Sequence, residues 1–186
     1  MKRKVILVMA FMAFAIMSMY AQTPKREFLD VGDSINTYPK VEWIKGNAVS
    51  KFDPSKIYII DLWATWCKPC IAAMPHFNAI ASKFKNRGVV FIAQDVMEDD
   101  RPKVLDFVKA NDKMMSFDVA FGGGKGSDFE QEWIKPAGVN AIPQTFVIKG
   151  NKLLWQTSPD MITEPVIEML IKGDFSIEKA KKLSAN

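Results

Sequence analysis

Residues 61–70 read DLWATWCKPC, and they hold the only two cysteines of a 186-residue chain. Cys67 and Cys70 are separated by Lys68 and Pro69. A bridge between them closes a loop so short that it removes little entropy from the unfolded chain. A fold-stabilising disulfide is therefore a poor account of the pair, and a dithiol that opens and closes is a better one. The residues on either side set the frame. KIYIIDLWA (56–64) is a β-rich run apolar on both faces, which reads as a central strand. From about residue 68 to 85, Ala72, Ala73, Phe77, Ile80, Ala81 and Phe84 recur at helical spacing, and Pro75 is expected to kink the helix. Cys67 then stands at the junction, at the carboxyl end of a strand and the N-terminus of a helix.

Working outward, VVFIAQDV (89–96) is a second buried strand. DDRPKVLDFVKAND (99–112) is a helix with an Asp cap, Pro102 in its first turn, and Val104, Leu105, Phe107 and Val108 facing inward. MSFDVAF (115–121) is a third strand. The following GGGKGS lacks the spacing of a phosphate-binding loop and reads as a flexible turn. SDFEQEWIKPAGV (127–139) reads as a helix capped by Ser127, with Glu130 at the capping-box position. IPQTFVIKGNKLLWQTS (142–158) is a hairpin turning at Lys149–Lys152. A helix starting at Thr163 buries Ile162, Val166, Met169 and Leu170 and stops at Gly173, and Ser176 caps a final short one. Before all of these, KVEWIKG (40–46) reads as a strand of a small N-terminal hairpin. Alternating strands and helices predict an α/β fold: a central mixed sheet with right-handed crossovers, helices on both faces and an N-terminal β-hairpin extension.

The chain opens with Lys2, Arg3 and Lys4, an apolar stretch from Val5 to Met17 and a small residue at Ala21, the three parts of an export leader. Residues 1–21 are expected to be a signal peptide and 22–186 the domain. An uncleaved leader would instead tether the domain to a membrane. Without the leader's three basic residues, 22 Lys and Arg stand against 21 Asp and Glu, so the formal +4 of the whole chain is no argument for nucleic-acid binding. Export places the domain in a periplasmic or other extracytoplasmic space where disulfides persist.

At a helix N-terminus, unpaired N–H groups and a partial positive charge favour a thiolate, and Lys68 adds a charge beside it. The Cys67 thiol is thus expected below its free value of about 8.5. Cys70, one turn on and nearer the core, is expected to stay a thiol until it resolves a mixed disulfide made by Cys67. Pro69 suits the first helical turn. Asp61 lies mid-strand in an apolar run; as a buried acid it is expected to move protons to and from Cys70, and the bland alternative is a solvent-facing edge residue. Ile142-Pro143 opens a strand, either as an ordinary trans proline or as a cis bond beside Cys67. In the cis case the Ile142 backbone would pair with an extended substrate segment.

DLWATWCKPC followed about 75 residues later by IPQTFVI resembles the thioredoxin superfamily, and WATWC-x-P-C is similar to the exported TlpA-like thiol–disulfide oxidoreductases. The likeness runs over residues 31 to 173 and includes WIKG, EWIKPAGVNAIP and LLWQTSP. It implies a thioredoxin fold with an N-terminal hairpin, Cys67 as nucleophile, Cys70 as resolving thiol and a cis Pro143. Asp61 matches the family's buried acid and Trp66 its aromatic residue beside the nucleophile, with Trp66, Lys68, Pro69, Ile142 and Pro143 bordering the substrate. Two positions depart from the family: Ala73 stands where many relatives carry Glu, against a specialised role in cytochrome maturation, and Gln144 replaces the usual Thr. The implied activity is extracytoplasmic thiol–disulfide exchange without a cofactor; Lys68-Pro69 and the absence of a large inserted helical domain point to a reductase of protein disulfides, for which a membrane redox protein is the expected electron donor.

Other readings remain at this level. The same pair would serve a disulfide isomerase or an oxidant. Cys67, Cys70 and His76, the only histidine, would supply three of the four ligands a closed metal site usually has. A peroxidase would need Thr three residues before its cysteine, where this chain has Ala64, with Thr65 off by one. A scaffold that merely keeps the fold is the fourth.

Overall fold

The computed structural model describes residues 29–184, so the leader reading at 1–21 lies outside the described residues. Six strands form one sheet in the order β1-β4-β3-β2-β5-β6. They are β1 (Glu42–Lys45), β2 (Ile57–Trp63), β3 (Val89–Asp95), β4 (Asp118–Phe121), β5 (Gln144–Lys149) and β6 (Lys152–Thr157). The helices are α1 (Lys68–Phe84), α2 (Arg101–Ala110), α3 (Glu164–Lys172) and α4 (Ile177–Ser184). β2 pairs parallel with β3 and antiparallel with β5, and every one of its seven residues is buried. That is the physical reason its sequence is apolar on both faces.

The route of the chain decides which face each connection covers. β2 to β3 and β3 to β4 both step the same way across parallel strands, so two right-handed crossovers put α1 and α2 on one face. There Ile57, Ile59 and Trp63 of β2 meet Met74, Phe77, Ile80 and Phe84 of α1, Val104 and Val108 of α2, and Val166, Ile167 and Leu170 of α3. The connection from β4 to β5 runs back across the sheet and covers the other face. That face is filled by a short π-helical turn at Glu130–Ile134, which buries Trp133 and Ile134, and by the N-terminal segment with Leu29, Ile35, Tyr38 and Phe52. The helix expected over 127–139 is thus reduced to this turn. Ser127 Oγ does cap it, accepting the Glu130 N–H at 3.2 Å.

The N-terminal extension differs in detail from a free hairpin. Tyr38 N–H donates to Ser50 O and Phe52 N–H to Asn36 O, closing an antiparallel bridge at Thr37 and Lys51. The strand inside this loop, β1, pairs with β4 at the open edge of the main sheet. An unpaired β4 edge is a stronger partner than a second short strand would be, because pairing there satisfies exposed N–H and C=O groups and removes an edge. Gly46 ends β1 with φ +82°, and a Cβ there would stand 1.9 Å from Asp118 Oδ1. The α1 seam also shifts from its expectation. Met74 is buried with Cys70 and Phe77, while Ala72 is exposed, because the sequence 70, 74, 77, 81, 84 follows the helical repeat more closely.

Candidate active site

Cys67 is the N-cap of α1: its backbone is extended (φ −83°, ψ 91°), and its Sγ accepts the Cys70 N–H at 3.3 Å. Lys68 and Pro69 occupy the first turn, both exposed. Pro lacks an N–H, so it costs nothing at a position where the helix has no acceptor to offer. Cys67 and Cys70 are joined as a disulfide with Sγ–Sγ 2.01 Å. Cys67 is 2% exposed and Cys70 fully buried, whereas Trp66 beside them is 53% exposed. Trp66 Nε1–H donates to Met97 O at 3.3 Å, which fixes the ring at the rim of the pair.

β5 brings the second half of the site. The Ile142–Pro143 peptide is cis, and the Ile142 carbonyl oxygen lies 3.7 Å from Cys67 Sγ, where it can accept an S–H once the pair is reduced. Cys70 Sγ lies 3.9 Å from the Leu62 carbonyl oxygen in the same way. Gln144 turns aside and donates to Thr157 O at 2.7 Å.

Asp61 is not an edge residue. It sits in central β2, 4% exposed, on the same face as Ile59 and Trp63 and therefore on the face where α1 carries Cys70. Burial raises its pKa to about 7, against the opposing effect of a hydrogen bond donated by Thr145 Oγ1 at 2.7 Å. Thr145 is its register partner across the β2–β5 ladder. The sequence reading missed Thr145, although a hydroxyl two residues after Pro143 in an otherwise apolar TFVI was a visible signal.

A second missed group lies where β3 ends. Glu98 is 7% exposed; its carboxylate accepts the Thr65 N–H at 2.8 Å and the Thr65 hydroxyl, and Lys103 Nζ lies 3.2 Å away. The run MEDD gave no hint of this, since acidic loop residues are usually solvated. Because the Thr65 hydroxyl is engaged by Glu98, it is not directed at Cys67 as a peroxidatic site would require.

The structure does not bring His76 to the cysteines. Its Nε2 is 2.9 Å from Ile162 O, and among the described residues no three His, Cys, Asp or Glu side chains converge as a metal site. A metal module built on Cys67, Cys70 and His76 is corrected on that geometry.

Residues 39–156 match the AhpC/TSA family. The chain belongs to this family. Its similarity to curated relatives is more specific: it is 32% identical over 150 residues to the thiol-disulfide oxidoreductase ResA of Bacillus thuringiensis subsp. konkukian, covering 80% of this chain and 81% of that one. Among solved structures, a Chlorobium tepidum protein named for the thiol:disulfide interchange protein DsbE superposes with TM-score 0.54 at 26% identity, over 82% of this chain and 98% of that one. StoA of Bacillus subtilis superposes with TM-score 0.51 at 20% identity over 73% and 90% of the two chains, a likeness of fold. With the paired cysteines at the head of α1, this thioredoxin-fold chain is a thiol–disulfide oxidoreductase.

Proposed function

We propose that this oxidoreductase reduces protein disulfides in an extracytoplasmic space, with Cys67 attacking and Cys70 resolving. The observation that carries this reading is the asymmetry of the pair. Cys67 caps a helix beside an exposed Trp66 and the Ile142 carbonyl, and Cys70 is sealed beneath it over the face that holds Asp61. The helix N-terminus and Lys68 stabilise a Cys67 thiolate, whereas burial keeps Cys70 a thiol.

The reaction follows from those positions. The Cys67 thiolate attacks one sulfur of the substrate disulfide, forming a mixed disulfide and releasing one substrate thiolate, which takes a proton from solvent. Asp61 as carboxylate accepts the Cys70 proton, directly or through water, and Cys70 attacks Cys67 Sγ. The second substrate thiolate leaves and is protonated. Two electrons and two protons pass to the substrate, and the Cys67–Cys70 disulfide remains. An extended segment beside the substrate cysteine lies along the Ile142–Pro143 backbone and against Trp66, Lys68 and Pro69. Regeneration needs an electron donor, which in an exported protein is a membrane redox protein. Residues 1–21 are the signal that exports it, or an uncleaved tether. The direction rests on Lys68-Pro69 between the cysteines and on the lack of a large helical insertion among the described residues.

Equilibration of the domain in glutathione buffers, with trapping of the pair at each ratio, tests the direction. A dithiol seen only under strongly reducing conditions supports the reductase. A pair that stays reduced in mildly oxidising buffer means an oxidant or isomerase instead. A pair that never exchanges would return the disulfide to a purely structural role.

A further inference from the structure

Asp95 is the last residue of β3 and is fully buried, on the same face as Val89, Phe91 and Ala93. Its register partner across the parallel ladder is Trp63, and the pair Asp61–Ala93 precedes it, so two buried acids sit on one face of the sheet, two residues apart. Both carboxyl oxygens of Asp95 are buried with no hydrogen-bond partner among the described residues, and the carboxyl that acts on Asp95 through charge and hydrogen bonding is that of Glu98, three residues on. Two carboxylates cannot hydrogen-bond each other. One proton between them converts the contact into a strong hydrogen bond and halves the buried charge. The surroundings fit a total charge of −1. The cation on the pair is Lys103 of α2, 3.2 Å from Glu98. The other charged groups nearby are committed elsewhere: Asp99 accepts the Gly124 N–H, Asp100 caps α2, and Arg101 pairs with Glu42. On the same face of the sheet as Asp95, β2 carries Asp61, and α1, with Cys67 and Cys70, packs over that face.

The acceptor capacity of Glu98 is spent on Thr65, two residues before Cys67, through both its N–H and its hydroxyl. Two further bonds fasten the same corner: Val96 N–H to Trp63 O at 2.9 Å and Cys67 N–H to Ala64 O at 3.0 Å. We propose that Asp95 and Glu98 hold one proton between them and clamp the Thr65–Trp66 turn, which makes Glu98 a positioning residue for Cys67. The proposal rests on Cys67 being the attacking thiol. Burial, and then the charge of Glu98 and a hydrogen bond to it, push Asp95 up to about 9, in keeping with a protonated Asp95 at neutral pH. Loss of that proton puts two negative charges in one buried site, loosens the hold on Thr65, and so weakens the positioning of Cys67 two residues on.

The test uses the full domain in a Cys70→Ala background, so that only Cys67 reacts, and follows iodoacetamide alkylation against pH. The parent is expected to show a second inflection near 9, above that of the thiolate, and Asp95→Asn is expected to abolish it while keeping the lower one. With both cysteines present, Glu98→Gln is expected to slow reduction of insulin disulfides about tenfold, the effect typical of losing an orienting partner. It should also speed hydrogen exchange at the Thr65 amide. If Glu98→Gln does not fold, Thr65→Val removes one of the two bonds and is read by the same exchange and insulin assays. Profiles of Asp95→Asn that superimpose on the parent's, with insulin reduction intact in Glu98→Gln or Thr65→Val, overturn the pair while leaving Cys67 as nucleophile. A parent that reduces no insulin overturns the reductase reading instead.

Discussion

At the scale of single residues, the site depends on a carboxyl whose charge is optional. Asp61 is buried enough that its pKa rises to about 7, so near neutrality it is divided between acid and base. That suits the role proposed for it, accepting a proton from Cys70 in one half-cycle and returning it in the other. Asp61→Asn is expected to slow resolution of the mixed disulfide about a hundredfold, the scale of a lost general base, while initial attack by Cys67 changes far less. Stopped-flow measurement of the two phases checks this, and equal slowing of both would sink the role. In the parent, the resolution rate should rise with pH through about 7, as the carboxylate form grows, and this inflection should vanish in the variant. Thr145 bears on the same number. Its hydroxyl stabilises the carboxylate, so Thr145→Val is expected to move that inflection to higher pH with the rate above it little altered. A shift to lower pH would mean that the hydroxyl acts some other way.

At the scale of elements, α1 is both the platform for the cysteines and a main contributor to the core. Phe77 is nearly fully buried and packs edge-on against Phe91 of β3 and Phe117, with ring centroids 5.5 and 5.1 Å apart. Phe77→Ala is expected to cost about 3–5 kcal/mol, from lost apolar burial plus the cavity left beside Phe91 and Phe117. Urea unfolding of the oxidised domain measures it; a cost below about 1 kcal/mol would mean that the neighbours collapse into the space. The helix runs from Lys68 to Phe84 with Pro75 inside it. The missing Pro75 N–H leaves one carbonyl of the first turn without its i+4 donor, close to the catalytic pair. β5 has the complementary task, since one strand delivers Ile142–Pro143 to Cys67 and Thr145 to Asp61.

At the scale of the whole molecule, the two raised acids tie stability to pH. Each has a folded pKa above its unfolded value near 3.8, so the folded state holds more protons than the unfolded one between those limits. Stability associated with Asp61 is present in full below about 4 and is lost as pH rises through about 7; that associated with Asp95 is lost up to about 9. Isothermal denaturation of the oxidised protein should therefore show stability declining from mildly acidic to alkaline pH. The double variant Asp61→Asn, Asp95→Asn should flatten that decline, and an unchanged slope would show that other groups cause it. The ion pairs contribute little to this account. Lys83 with Glu164 and Arg87 with Glu168 join α1 and the turn after it to α3 at the surface, where such pairs are weak and screened by salt.

The sequence by itself determined most of the elements and the redox character of the cysteine pair. The apolar run before Cys67, the helical repeat after it, and the turn residues at Gly150 and Gly173 are local signals. A C-x-x-C pair that closes no useful loop needs no tertiary information to be read as a redox pair. Helix caps were legible for the same reason, since Asp100 and Ser176 act on N–H groups three residues away. What only the tertiary structure decided were the partners from distant parts of the chain. These are β1 taking the edge of β4, Thr145 opposite Asp61, His76 turned to Ile162, and Glu98 under Thr65. Except for the exposed His76, the deciding energy is the cost of leaving a polar group or a strand edge unpaired once it is buried. That cost exists only after the sheet has brought the residues together.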